Sequence, residues 1–77
     1  MPISQELLEE IKLLSLFNLE TTQQGIKIHS DATKSSISAA QRLYDKGIVT
    51  LPDGGYLTDM GHEAAEHAQL LLSLLKQ

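Results

Sequence analysis

The chain contains no cysteine, so neither a disulfide framework nor a thiolate metal site can support its fold. It also has no uninterrupted apolar stretch near the roughly 18 residues that a membrane span requires. The longest run, Leu70-Leu71-Leu72-Ser73-Leu74-Leu75, is far shorter. Its first residues show no basic segment leading into an apolar one, so no secretory signal is expected and a cytoplasmic location is. A glycine-rich loop with a phosphate-binding lysine is missing, as are a G-x-S-x-G elbow and a cysteine nucleophile, so enzymatic activity and a cofactor are not expected. What remains is 77 residues of ordinary globular composition, 42% hydrophobic and 21% charged, sufficient for one domain over 1–77. Its formal charge of −4 argues against general affinity for polyanions.

Helical periodicity predicts a first helix from Ser4 to Phe17, with Ser4 as N-cap and Ile3 and Leu8 as a hydrophobic staple. Leu7, Leu8, Ile11, Leu14 and Phe17 form its apolar stripe, while Glu9, Glu10 and Lys12 are assigned to the wet face. A short helix over 19–24, stopped by Gly25, and a strand at Ile26-Lys27-Ile28-His29 are expected next. Ser30, Asp31 and Thr33 compete to cap a helix that runs to Lys46, with Ile37, Ala40, Leu43 and Tyr44 on its buried face and Gly47 at its left-handed end.

Pro52-Asp53-Gly54 between two short β-prone runs predicts a hairpin, since each of those residues suits a tight turn. Thr58 then caps a last helix whose stripe is Gly61, Ala64, Ala65, Ala68, Leu71, Leu72 and Leu75. The first half of that stripe is small and permits close approach; the second half is leucine-rich, with Leu70 and Leu74 off the stripe.

This order of elements predicts an α+β, mostly helical domain with a small antiparallel hairpin and long terminal helices. The passage Leu43-Tyr44-Asp45-Lys46-Gly47-Ile48-Val49, followed by Asp53-Gly54-Gly55-Tyr56-Leu57-Thr58 and Gly61, resembles the recognition helix, wing and next helix of winged helix-turn-helix regulators. The whole chain is also similar to a family of small bacterial proteins of unknown function, some labelled DNA-binding. Thr21 to His29, Ala39-Ala40-Gln41-Arg42-Leu43, and Asp53-Gly54-Gly55-Tyr56-Leu57-Thr58 with Gly61-His62-Glu63-Ala64-Ala65-Glu66-His67 carry that second resemblance.

The winged-helix resemblance implies a recognition helix at 33–46 and transcription regulation through duplex DNA. Charge follows the same division: residues 26–50 hold four basic and two acidic side chains, whereas the rest holds two basic and eight acidic. On that reading Ser35, Ser38, Gln41 and Arg42 face base edges, and Lys27, Lys34 and Lys46 meet phosphates. The wing tip, Pro52-Asp53-Gly54, brings no basic group.

The alternative is a non-enzymatic protein-interaction module, a dimeric adaptor using its acidic surface and the leucine-rich C-terminal helix. Leu70, Leu71 and Leu74 are its interface candidates, and a homodimer is the expected assembly. The two readings differ in a visible way. DNA binding needs Lys34, Arg42 and Lys46 on one open face, free of Glu63 and Glu66; the adaptor leaves the cations paired or scattered and exposes Leu70 and Leu74.

His62 and His67 are five residues apart, not the four that place two zinc ligands on one helix face, so no metal is expected. His62 with Glu66, and Glu63 with His67, are expected as ordinary polar pairs one turn apart.

Overall fold

The computed structural model describes residues 3–21 and 25–77. It is an α+β fold of α1 (Gln5–Leu14), β1 (Ile26–Lys27), α2 (Lys34–Asp45), β2 (Val49–Leu51), β3 (Gly54–Leu57) and α3 (Asp59–Leu75). The three strands form one antiparallel sheet in the order β1-β3-β2, with Ile26 opposite Gly55 and Val49 opposite Leu57. The strand at Ile26 is therefore present, but only half the expected length. The short helix expected over 19–24 falls partly outside the described residues; Leu19 and Glu20 form a turn.

Each helix begins where a hydroxyl can serve an orphan backbone N–H. Ser4 Oγ accepts from Leu7 N at 3.1 Å, Thr33 Oγ1 from Ser36 N at 3.2 Å and Thr58 Oγ1 from Gly61 N at 3.0 Å. Thr33 thus prevails over Ser30 and Asp31. At the end of α2, Gly47 takes φ +77°, and Gly47 N and Ile48 N donate to Tyr44 O and Leu43 O, the paired bonds of a Schellman motif. This stop turns the chain directly into β2. Helix α1 ends at Leu14, three residues earlier than expected, and its terminal carbonyls find a distant partner. Gln69 Nε2 on α3 donates to Leu14 O at 3.2 Å and to Phe17 O at 2.8 Å.

The core is Leu13, Leu14, Phe17, Ala39, Ala40, Leu43, Val49 and Ala65. Small side chains let α2 and α3 close on α1 and the sheet. At Gly61 the approach is extreme, because a Cβ there would lie 1.9 Å from Ile48 O. Thr58 Oγ1 fixes the same junction by donating toward Gly47 O at 2.6 Å and Ile48 O at 3.2 Å.

Several burial expectations are corrected. Ile37 and Tyr44 are exposed, since α2 seats its Ala39–Ala40–Leu43 side on the core and turns those two away. Ile3 is 68% and Leu8 42% exposed, so neither joins the core. Glu10, assigned above to the wet face of α1, is buried instead.

Candidate association surface

Two parts of the surface were candidates: the basic segment on and around α2, and the leucine end of α3. Arg42 and Lys46 point from the second half of α2 toward α1, where Glu10 receives both. Arg42 Nε donates to Glu10 Oε2 at 3.0 Å, and Lys46 Nζ donates to Glu10 Oε1. Arg42 reaches further along α1, donating through Nη2 to Glu6 O at 3.1 Å and lying 3.6 Å from the Glu6 carboxylate. Burial on its own pushes the Glu10 carboxyl up. The hydrogen bonds and charges of Lys46 and Arg42 outweigh it and hold the group below its ordinary value. Both carboxylate oxygens are occupied, so this triad is a helix-to-helix clamp.

Lys34, Ser35, Ser38 and Gln41 remain exposed along α2. Gln41 Nε2 donates to Asp45 Oδ1 at 3.0 Å on its own helix, and Ser35 Oγ lies 3.2 Å from Thr33 Oγ1. The groove that holds Lys34, Ser35, Ser38 and Arg42 is shared with Gln5, Glu6 and Glu9 of α1, so its rim carries carboxylates beside the cations. Lys27 lies elsewhere, in a hollow with His29 and Asp53. Lys34 and Arg42 thus share one groove and Arg42 and Lys46 share Glu10, but Arg42 and Lys46 are paired with carboxylates. The carboxylates that pair with them are Glu6 and Glu10, not Glu63 and Glu66.

At the other end, α3 changes character along its length. Gly61 and Ala65 are buried and Ala64 and Ala68 partly so. Beyond Gln69, only Leu72 among the described residues is partly covered by the rest of the chain. Leu70, Leu71, Leu74 and Leu75 are 60%, 52%, 57% and 71% exposed. At 100° per residue, Leu70, Leu74, Leu71, Leu75 and Leu72 sweep an apolar arc of about 200°. Leu71 and Leu75, expected on the buried stripe, lie outside the core, because the domain beneath ends near Gln69. Leu75 is exposed beside the three leucines singled out from the sequence, and the near-continuous leucine run was the signal for it.

His62 Nδ1 sits 2.8 Å from Glu66 Oε1, the one-turn pair anticipated from spacing. Among the described residues no cluster of three or more histidine or acidic side chains is arranged to hold a metal ion. Among the same residues no helix is long and apolar enough to cross a membrane.

The chain belongs to a family of unknown function (DUF5669), whose model matches residues 1–76. No curated protein and no solved structure matches the chain.

Proposed function

We propose that this domain is a non-enzymatic association module that forms a homodimer through the leucine end of α3. The observation that carries this reading is the exposure of Leu70, Leu71, Leu74 and Leu75 together, on a helical segment that its own domain leaves largely bare. A helical segment apolar over most of its circumference is stable in water when a second surface covers it.

The magnitudes favour a reversible pair. Each of these leucines is a little over half exposed, and covering that remainder contributes about 1–1.5 kcal/mol per side chain. Eight leucines across two chains supply about 8–12 kcal/mol, against an association cost of about 4 kcal/mol at the low end of its range. The net is then at most about 4–8 kcal/mol, a dissociation constant between about 1 mM and 1 μM or weaker. Sedimentation equilibrium across that range tests it. The wild-type mass should rise from the chain's 8.5 kDa toward twice that value, and Leu74→Asp should remain a folded monomer.

A second reading keeps the domain as a DNA-associated regulator of winged-helix type. It is favoured by α2 leading directly into the β2–β3 hairpin and by the exposed Lys34, Ser35, Ser38 and Gln41. Glu6 and Glu9 on the same groove oppose a phosphate there. Fluorescence anisotropy with random duplex DNA at low and rising salt separates the readings. Salt-sensitive binding lost in Lys34→Ala supports the second, whereas no binding at low salt leaves the dimer alone.

A further inference from the structure

Along one flank of α3, Met60, Ala64, His67, Leu71 and Leu74 recur at alternating steps of four and three residues, the spacing of a coiled-coil seam. Met60 is 54% exposed, His67 is exposed and Ala64 is half-buried, so the seam continues from the leucine end back over the small-residue half of the helix. From this, and resting on the dimer reading above, we infer that the covering surface is the α3 helix of a second copy. The two helices run antiparallel, with Leu71 of each chain against the partner's His67 and Leu74 against the partner's Ala64.

Three features select this arrangement. The first is size. Each overhanging leucine meets a position where the partner's side chain is smaller or partly polar, while Leu70 comes close to its own counterpart near the two-fold axis. Large side chains over small ones let two helices interlock without voids.

The second is charge. Asp59, Glu63 and Glu66 occupy the first half of α3, and the only formally charged side chain from His67 onward is Lys76. Antiparallel packing sets the acidic half of each helix beside the partner's leucine–lysine half and opposes the helix dipoles favourably. A parallel pair would gather six carboxylates at one end and place His67 directly against His67.

The third is the polar seam residue. A single polar side chain in an otherwise apolar seam penalises registers that set it against its own kind, and so fixes the alignment. His67 occupies that role here, opposite leucine.

The absence of native cysteine makes the register directly readable, because any disulfide must come from an introduced pair. A disulfide requires Cα atoms within about 4.4–6.8 Å, which facing seam positions provide. His67→Cys and Leu71→Cys chains, mixed and oxidised at concentrations where the wild type is dimeric, should yield the mixed covalent dimer. Neither variant alone should link efficiently. Ala64→Cys mixed with Leu74→Cys reads the same register without altering Leu71, and both linkages should disappear when Leu70→Asp is added to each chain.

Self-linking of Leu71→Cys alone would show a parallel pair and overturn the inference. Preferential linking of Leu71→Cys to Leu74→Cys would show a register shifted toward the C-terminus, and would overturn it equally. Absence of every linkage in a chain that sediments as a dimer would place the interface elsewhere. A monomeric wild type at all concentrations would overturn the dimer reading itself, so the two failures are distinguishable.

Discussion

The two halves of α3 differ in the opposite sense from a helix that serves a single domain. Its first half buries glycine and alanine, where little apolar surface is available to hide, and its second half exposes four leucines. The first half is chosen for distance: Gly61 lets the helix backbone touch Ile48 O, and Ala65 lets it settle on the core. The second half is mostly exposed, with Leu72 alone among its leucines partly covered. Helix α1 ends at Leu14, and Gln69 closes the junction by bonding to the carbonyls of Leu14 and Phe17. One continuous helix therefore performs two tasks, attachment and presentation. On the proposed reading, large side chains on it report association, and small ones report folding.

Substitutions can break this comparison. The largest effect is expected at Leu43, buried at 3% exposure. Leu43→Ala should cost about 2–5 kcal/mol in urea unfolding, whereas Leu70→Ala, measured under dilute monomeric conditions, should fall within about 0.5 kcal/mol of wild type. Equal losses at the two sites would show that the leucine end is packed within one chain.

Gly61→Ala comes next. Its added Cβ would stand 1.9 Å from backbone, not from a yielding side chain, and about 1–3 kcal/mol of overpacking cost is expected. Ser73→Ala, in the overhanging half, should leave stability nearly unchanged.

The Glu10 clamp supplies a pH signature of somewhat smaller size. Its folded carboxyl titrates below its ordinary value, so the contribution is fully present above the unfolded value and is lost as pH falls through the lowered folded value. Glu10→Gln should cost about 1–3 kcal/mol at neutral pH and flatten the acid limb of the stability curve. Glu9→Gln, whose carboxylate meets the exposed Lys12 and the Gln5 amide, should do neither.

Smallest of all, Ile37→Ser and Tyr44→Ser should change stability little, because both side chains lie on the open side of α2. A loss comparable with that of Leu43→Ala would place them in contact with a second chain.

Much of this architecture was legible in the sequence. Ser4, Thr33 and Thr58 act as caps because a hydroxyl before a helical pattern has one dominant use, and Gly47 stops α2 for the same kind of local reason. The Pro52-Asp53-Gly54 turn was equally local. What escaped was set by the placement of one helix against another. Glu10 reads as a surface acid, yet it stands three, four and seven residues before Leu13, Leu14 and Phe17, on their face of the chain. Its burial follows from Arg42 and Lys46 arriving opposite, which no pattern within α1 contains. The same meeting pairs two of the cations named as nucleic-acid contacts with a carboxylate. Ile37 and Tyr44 failed similarly: periodicity marks an apolar flank, but Ala39, packed at 0% exposure, rotated α2 away from it. For the leucine end the run was visible, and its exposure depended on where α1 stopped.

Amide hydrogen exchange through residues 70–75, followed as protein concentration rises, tests the central claim most directly. Uncovered helical ends open at little cost, so these amides should exchange rapidly in dilute solution and slow progressively as chains pair. In Leu74→Asp they should remain fast at every concentration while the α2 amides stay protected. Exchange at 70–75 that is fast and independent of concentration in the wild type, with the mass unchanged, would contradict the account.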